Sequence, residues 1–212
     1  MRAIYPLKTC LLAAIFLTAC ASGAFTAPDA DGTLARLTAK AGQVHSIQSS
    51  FTQEKRLDIF NRTLVSKGVF AFERPQSLRW EYLEPVRSGF ALHDGEGRRW
   101  NELSGESRDF TVRQDPVMQI VSGQILLWTT LDLSTLSRTF RIEVESDSPA
   151  ILRFTPLAQG AGPIAGMRIT FTPDDAAISS IEIHEAEGDS TVIRFHDTRL
   201  NGEIAPRVFT QQ

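Results

Sequence analysis

The chain has almost no cysteine and no apolar run long enough to cross a membrane. Both of its cysteines, Cys10 and Cys20, lie close to the N-terminus. The rest of the chain therefore has no thiol that could form a disulfide or a thiolate metal site. The apolar run Thr9–Leu17 is shorter than the ~20 residues that a membrane-spanning helix needs. We therefore expect the fold to be stabilised by its hydrophobic core.

The chain also lacks an excess of positive charge and any catalytic motif. It has 22 basic and 25 acidic residues, and without the two basic residues of positions 1–20 the balance is 20 against 25, a formal charge of −5. This composition argues against nucleic-acid binding. No G-x-S-x-G motif is present, and no histidine pair has the i, i+4 spacing of a metal site. We expect a binding protein without a cofactor or metal, not an enzyme.

Residues 1–20 have the organisation of a bacterial export signal. Arg2 and Lys8 provide the positive start, and the apolar run Thr9–Leu17 follows. Leu17–Cys20 resembles a lipobox, after which Cys20 would receive a lipid anchor. Small residues at 19–24 also suit ordinary signal peptidase, and the sequence leaves both processing routes open. It predicts a periplasmic protein, anchored to a membrane if Cys20 is lipidated.

The rest of the chain is predicted to form one domain after a short leader. Residues 21–32 are small, polar and rich in proline and glycine, which is typical of a flexible tether. Residues 33–212 have the length of a single domain with a substantial core. A helix is predicted at Thr33–Val44, capped by Asp31 or Thr33. Asp115–Trp128 is also helical in pattern, although Gly123 could divide it, and Ser134–Leu136 could add another turn.

Alternation of apolar and polar residues predicts about ten strands with short connections. Such a pattern indicates an antiparallel meander. We expect an α+β fold in which a strongly curved antiparallel sheet forms an incomplete β-barrel, with helices gathered on one side. The predicted strands are Ser49–Leu57, Leu64–Phe72, Ser77–Tyr82, Gly89–His93, Arg98–Leu103, Thr139–Glu145, Ile151–Thr155, Met167–Thr172, Ile178–Glu185 and Thr191–His196, with a last strand at Ala205–Phe209.

The stretch Gly68–Pro85 carries the strongest functional signal. Its second strand alternates, with Leu78, Trp80 and Tyr82 on one face and polar residues on the other. Arg74 lies at the corner before this strand, where Pro75 restricts the backbone. Five fixed guanidinium donors suit Arg74 to binding backbone carbonyls across an opening. A surface arginine at a turn is the simpler alternative.

Aromatic residues continue along the neighbouring strands, and they usually fill a core. Here the two short helices offer little material to fill the concave side of a large curved sheet, and such sheets can enclose a ligand. The sequence is therefore compatible with an apolar cavity but does not require one. Its candidate wall residues are Phe70, Phe72, Leu78, Trp80, Tyr82, Phe90, Leu92 and Trp100.

Several of these residues form a pattern that resembles the LolA family of periplasmic lipoprotein carriers. The pattern starts with Ser50-Phe51-Thr52-Gln53. It continues as G-x-F-x-F-x-R-P-x-x-L-x-W-x-x-x-x-P over residues 68–85 and ends at Asp94-Gly95. The order of these pieces is fairly specific, whereas each piece alone is not. The resemblance extends over essentially the whole chain after the export signal.

The resemblance implies an incomplete barrel whose cavity receives the acyl chains of lipoproteins under a helical lid. The carrier takes them from an inner-membrane transporter and passes them to an outer-membrane acceptor. Arg74 matches the arginine that holds the lid closed by hydrogen bonds to lid carbonyls, and Leu78 and Trp80 match cavity positions. The lid segment, matched more loosely, contains Met118, Ile120, Val121 and Ile125. A monomer is expected.

One feature departs from the carrier pattern. A soluble carrier has no lipid anchor, whereas the related acceptor LolB is itself a lipoprotein. Lipidation of Cys20 would thus favour an anchored acceptor, or a paralogous carrier for another lipid.

Overall fold

A computed structural model describes residues 29–60, 62–157 and 164–210. The predicted export signal, Cys20 and all but the last few residues of the predicted tether therefore lie outside the described residues. The helices are α1 (Ala30–Gly42), α2 (Pro116–Thr130), α3 (Leu133–Leu136) and α4 (Arg207–Thr210). The strands are β1 (Ser46–Leu57), β2 (Arg62–Glu73), β3 (Ser77–Glu84), β4 (Ser88–His93), β5 (Glu96–Asn101), β6 (Glu106–Thr111), β7 (Phe140–Asp147), β8 (Ala150–Pro156), β9 (Ile164–Phe171), β10 (Ile178–Glu185) and β11 (Ser190–Leu200).

All eleven strands form one antiparallel sheet in the order β6-β5-β4-β3-β2-β1-β11-β10-β9-β8-β7. Two meanders, β1 to β6 and β7 to β11, meet where β1 pairs with β11. The sheet is curved but not closed, since β6 and β7 are its two edges. The predicted α+β fold with an incomplete barrel is confirmed.

The alternation of side chains assigns each residue to one face of the sheet. Phe70, Trp80 and Phe90 lie opposite one another on β2, β3 and β4, and therefore share the concave face. Arg79 and Glu81 lie on the convex face, as the sequence predicts. The concave face carries two hydrophobic clusters, one on the first meander with part of β11 and one on the rest of the second meander. The helices α1 and α2 contribute residues to these clusters and so cover the concave side.

Helix α1 starts earlier than predicted because another residue caps it. The Asp29 carboxylate accepts a hydrogen bond from the Gly32 backbone N–H at 3.1 Å. Thr33, a predicted cap, instead donates its hydroxyl to Asp147 Oδ1 at 2.6 Å. The predicted N-caps Asp31 and Thr33 were therefore wrong, and the helix ends at Gly42 instead of Val44.

The C-terminal segment also differs from the prediction. Ala205–Phe209 is not a strand, and the short helix α4 packs on the convex face against β3, β4 and β5. Phe209 is buried there with Ala71 and Ile204. The structure also contains a strand, β6, that the sequence analysis did not predict. Its charged residues hide the alternation of apolar and polar positions. Gly123 does not divide α2, which is one continuous helix.

Candidate functional site

A cavity of about 610 Å³ lies between the two concave clusters, beneath α1 and α2. Phe70 and Trp80 line it from the first meander, and Phe171 and Ile181 line it from the second. Asp175 is the one charged residue among the described lining residues. The volume lies within the range of about 300–1,000 Å³ that small-molecule sites occupy. The site can therefore hold an apolar ligand.

Aromatic side chains form the wall where β1, β2, β3 and β11 meet. The rings of Phe51 and Trp80 lie 4.6 Å apart between centroids, and Phe70 and Phe195 lie 6.1 Å apart. Phe70, Trp80 and Phe195 line the cavity, while Phe51 is buried behind them. Such tilted and edge-on contacts fix the orientation of the rings. The wall is consequently closely packed at this end.

Five of the eight candidate wall residues lie beside the cavity and do not line it. They fill the solid cluster over the first meander, where Phe110 and Met118 occupy the concave space. Phe72, Leu78 and Leu92 are almost completely buried there, and Phe90 nearly so. The five are Phe72, Leu78, Tyr82, Phe90 and Leu92. They belong to the core that supports the wall.

Trp100 lies on the opposite face of the sheet from the cavity. It pairs with Gly89, which pairs with Glu81 of the convex face. Its ring lies against the guanidinium of Arg79, whose Cζ is 4.9 Å from the ring centroid. The expectation that Trp100 lines the cavity was wrong. The register between β4 and β5, which pairs Trp100 with Gly89, decided its face.

Much of the cavity wall comes from the second meander, which the sequence analysis did not single out. Ile181 and Ile183 of β10 and Ile193 and Phe195 of β11 all line the cavity. Their spacing of two residues is the signal that could have identified them. The pattern is less visible than the aromatic run because isoleucine is common in any buried strand.

Helix α2 contributes three of its four predicted lid residues to the cavity. Ile120, Val121 and Ile125 line it, whereas Met118 is buried in the cluster on the first meander. Asp115 caps the helix by accepting hydrogen bonds from the N–H groups of residues 117 and 118, both at 3.1 Å. Arg99 pairs with Asp115 at 3.3 Å and so ties this helix end to β5.

Arg74 binds α1 and the turn after it, not α2. Its Nε donates to the Val44 carbonyl at 2.7 Å, and its Nη2 donates to the Ala41 carbonyl at 3.1 Å. Ala41 and Val44 both line the cavity. The structure thus brings Arg74 to the C-terminal end of a second covering helix, where a cation also complements the helix dipole.

The opposite side of α1 is held by two aspartates on the second meander. Arg36 forms an ion pair with Asp175 at 2.5 Å and donates to the Asp147 carbonyl at 3.0 Å. Asp175 is at the edge of the cavity and Arg36 is on the surface of α1. Polar contacts therefore hold α1 to both meanders, one of them through Arg74.

Tyr82 is a partly buried titratable residue close to the cavity. Burial raises the pKa of Tyr82, whose hydroxyl donates to Gln53 Oε1 at 2.9 Å. The described residues contain no cluster of three or more histidine, cysteine, aspartate or glutamate side chains that could hold a metal ion. None of the described helices combines the length and apolar composition of a membrane-spanning segment.

An open antiparallel barrel with an apolar cavity under two helices defines a lipid-binding class of fold. The family model described as outer membrane lipoprotein carrier protein LolA matches residues 42–212. The chain belongs to this family. No curated protein matches its sequence.

Solved structures share the fold at low sequence identity. MucB is 18% identical with a TM-score of 0.52, and the match covers 87% of this chain and 63% of MucB. An uncharacterised conserved protein from Thermus thermophilus is 12% identical with a TM-score of 0.50, over 84% of this chain and 91% of that one. A LolA superfamily protein from Nitrosomonas europaea is 9% identical with a TM-score of 0.42, over 87% and 99%. The family is one of carrier proteins, and none of these likenesses indicates catalysis.

Proposed function

We propose that this protein is a periplasmic carrier that binds the acyl chains of lipoproteins and transfers them from the inner to the outer membrane. The observation that carries the proposal is the apolar cavity of about 610 Å³ beneath α1 and α2 in a LolA-family chain. The partners would be acylated lipoproteins, an inner-membrane transporter that loads the cavity and an outer-membrane acceptor.

The wall chemistry suits acyl chains and offers little to polar ligands. Each methylene group that leaves water contributes about 0.8 kcal/mol, so even one long chain would bind tightly. A carrier must also release its cargo. The energy needed to move the covering helices would reduce the net affinity, since binding is weakened when the competent state is only partly populated.

A cavity-filling variant tests whether ligands bind in the cavity. Ile181→Trp places a large ring in the cavity from the middle of β10, and we expect at least a tenfold loss of affinity for a fluorescent fatty acid. Ile59→Trp is the control, because Ile59 is 86% exposed and does not line the cavity. Absence of probe binding by the wild-type chain would reject the acyl-chain site, as would equal binding by both variants.

The main alternative is an anchored acceptor that resembles LolB, or a paralogous carrier for another lipid. It depends on Leu17–Cys20, which lies outside the described residues. Mass spectrometry of the mature N-terminus separates the two roles. A diacylated Cys20 favours the acceptor, and an unmodified start after residue 20 favours the soluble carrier. Lipids and lipoproteins that co-purify with the protein would identify the cargo.

A further inference from the structure

The N-terminal half of α2 exposes a group of apolar side chains at the edge of the cavity. Val117 is 60% exposed, Ile120 65% and Val121 36%. Residues at positions i, i+3 and i+4 share one face of a helix, so these three side chains form one surface. Ile120 and Val121 also line the cavity. This rim surface, Val117, Ile120 and Val121, therefore connects the cavity with the outside.

The composition of α2 is unusual for a helix that covers a domain. Pro116–Thr130 contains no charged residue, and its apolar residues lie on both sides. Met118 and Ser122 face inward and are buried. A surface helix normally places charged residues opposite its buried face. A helix that is apolar on its outer side as well is expected where that side meets an apolar environment.

Positive side chains lie next to the N-terminal end of this helix. Arg108 is paired across the sheet with Arg99, which contacts Asp115 at the helix cap. Arg113 precedes the cap by two residues and lies at the surface. Of the acidic groups nearby, Glu106 and Asp115 pair with Arg99, and Asp109 pairs with Arg98. Among the described residues, neither Arg108 nor Arg113 forms an ion pair, so the end of α2 keeps a local positive charge.

We propose that the rim surface binds directly to a lipid bilayer that carries anionic headgroups. Val117 and Ile120 would enter the headgroup–acyl boundary, as the apolar residues of interfacial helices do. Arg108 and Arg113 would meet the headgroups, each cation adding attraction to an anionic surface. The inference rests on the proposed carrier function, because contact at this edge would place the cavity beside the bilayer in which the transporter or the acceptor lies.

The size of the surface favours a bilayer over a second protein. Three side chains provide far less than the ~800 Å² per partner of a stable protein interface. A bilayer needs no complementary shape, and the formal charge of −5 on the chain without residues 1–20 opposes binding of an anionic bilayer elsewhere on the surface. The contact is therefore expected to be weak and dependent on salt.

Single-cysteine labelling tests the contact without using cargo. A chain of residues 21–212 retains every described residue and has no native cysteine, since Cys10 and Cys20 are excluded. Val117→Cys and, as a control, Ile59→Cys are labelled with a polarity-sensitive fluorophore. Val117 is absent from the cavity lining, and Ile59 is exposed elsewhere. Vesicles of phosphatidylcholine with and without phosphatidylglycerol are then added in low salt.

We expect a blue shift of the label at position 117 with anionic vesicles, a smaller one with neutral vesicles, and no shift at position 59. Adding Arg113→Glu to the labelled chain should reduce the response to anionic vesicles at least threefold. No shift at position 117, or equal shifts at both positions, would overturn the proposal. A shift that requires vesicles containing membrane proteins would overturn it in favour of a protein partner. Fatty-acid binding in solution, measured in parallel, tests the carrier function separately.

Discussion

Arg74 contacts the covering helix at the point where α1 ends. Its two hydrogen bonds reach the Ala41 carbonyl in the last turn of α1 and the Val44 carbonyl just after the helix. A charged donor strengthens such bonds, although Arg74 is itself exposed, which reduces their net contribution. Arg74 therefore joins the corner before β3 to the end of α1, and its role as a latch stays a prediction.

Replacement of Arg74 is expected to impair the transfer of cargo without unfolding the domain. Arg74→Leu should lose two hydrogen bonds of about 1 kcal/mol each, leave the far-UV circular dichroism unchanged and reduce delivery of a lipoprotein to acceptor vesicles. Arg74→Lys, which keeps the charge but lacks the forked donors, should be intermediate. Transfer by Arg74→Leu at the wild-type rate would remove Arg74 from the mechanism.

Tyr82 allows a prediction about pH. Burial raises its pKa above the ordinary value of 10.0. The unfolded chain therefore ionises first as the pH rises, so the stability from Tyr82 is complete below pH 10 and is lost as the pH rises through the folded-state pKa. Residues 21–212 contain no other tyrosine, so absorbance at 295 nm reports Tyr82 alone. A midpoint at the value of free tyrosine would contradict the prediction.

At the scale of elements, two glycines have opposite roles. Gly68 of β2 lies opposite Phe51, and a Cβ at position 68 would meet the Phe51 ring and the Glu81 carbonyl. Gly123 lies within α2, where a Cβ would meet nothing within 4 Å. The strand thus needs its glycine for the approach of an aromatic ring, whereas the helix does not.

Alanine at the two positions should change stability in opposite directions. Gly68→Ala should lower the free energy of unfolding by about 1–3 kcal/mol through overpacking. Gly123→Ala should raise it by about 0.5–1 kcal/mol, because alanine loses less backbone entropy in a helix. Urea unfolding of the two variants beside the wild type measures both changes. Destabilisation by Gly123→Ala would show that α2 needs glycine for a reason outside its own backbone.

At the scale of the whole molecule, the convex side of the first meander is held by the C-terminus. Phe209 of α4 is buried against the sheet, and Arg79 donates to the Val208 carbonyl at 2.9 Å. Arg79 also pairs at 2.7 Å with Glu81, which is buried. The last residues therefore stabilise the back of the sheet whose front forms the aromatic wall.

Loss of this C-terminal contact should destabilise the whole domain. Phe209→Ala removes a buried aromatic ring and should lower the free energy of unfolding by about 3–5 kcal/mol. Thr210→Ala, at an exposed neighbour, should change it by less than about 0.5 kcal/mol. Chemical denaturation followed by tryptophan fluorescence compares the two. A small effect of Phe209→Ala would mean that α4 contributes little to the fold.

The sequence by itself determined the fold class, most of the elements and the absence of any catalytic motif. Alternation along β3 and the Asp115-Pro116 start of α2 are local signals, so the residues alone revealed them. Tertiary structure decided which residues line the cavity: Trp80 does and Leu78 does not, although they share a face. It also placed Trp100 on the convex side and directed Arg74 to α1. These outcomes depend on strand register and on how far each helix fills the concave space, and both arise from contacts between residues distant in the chain.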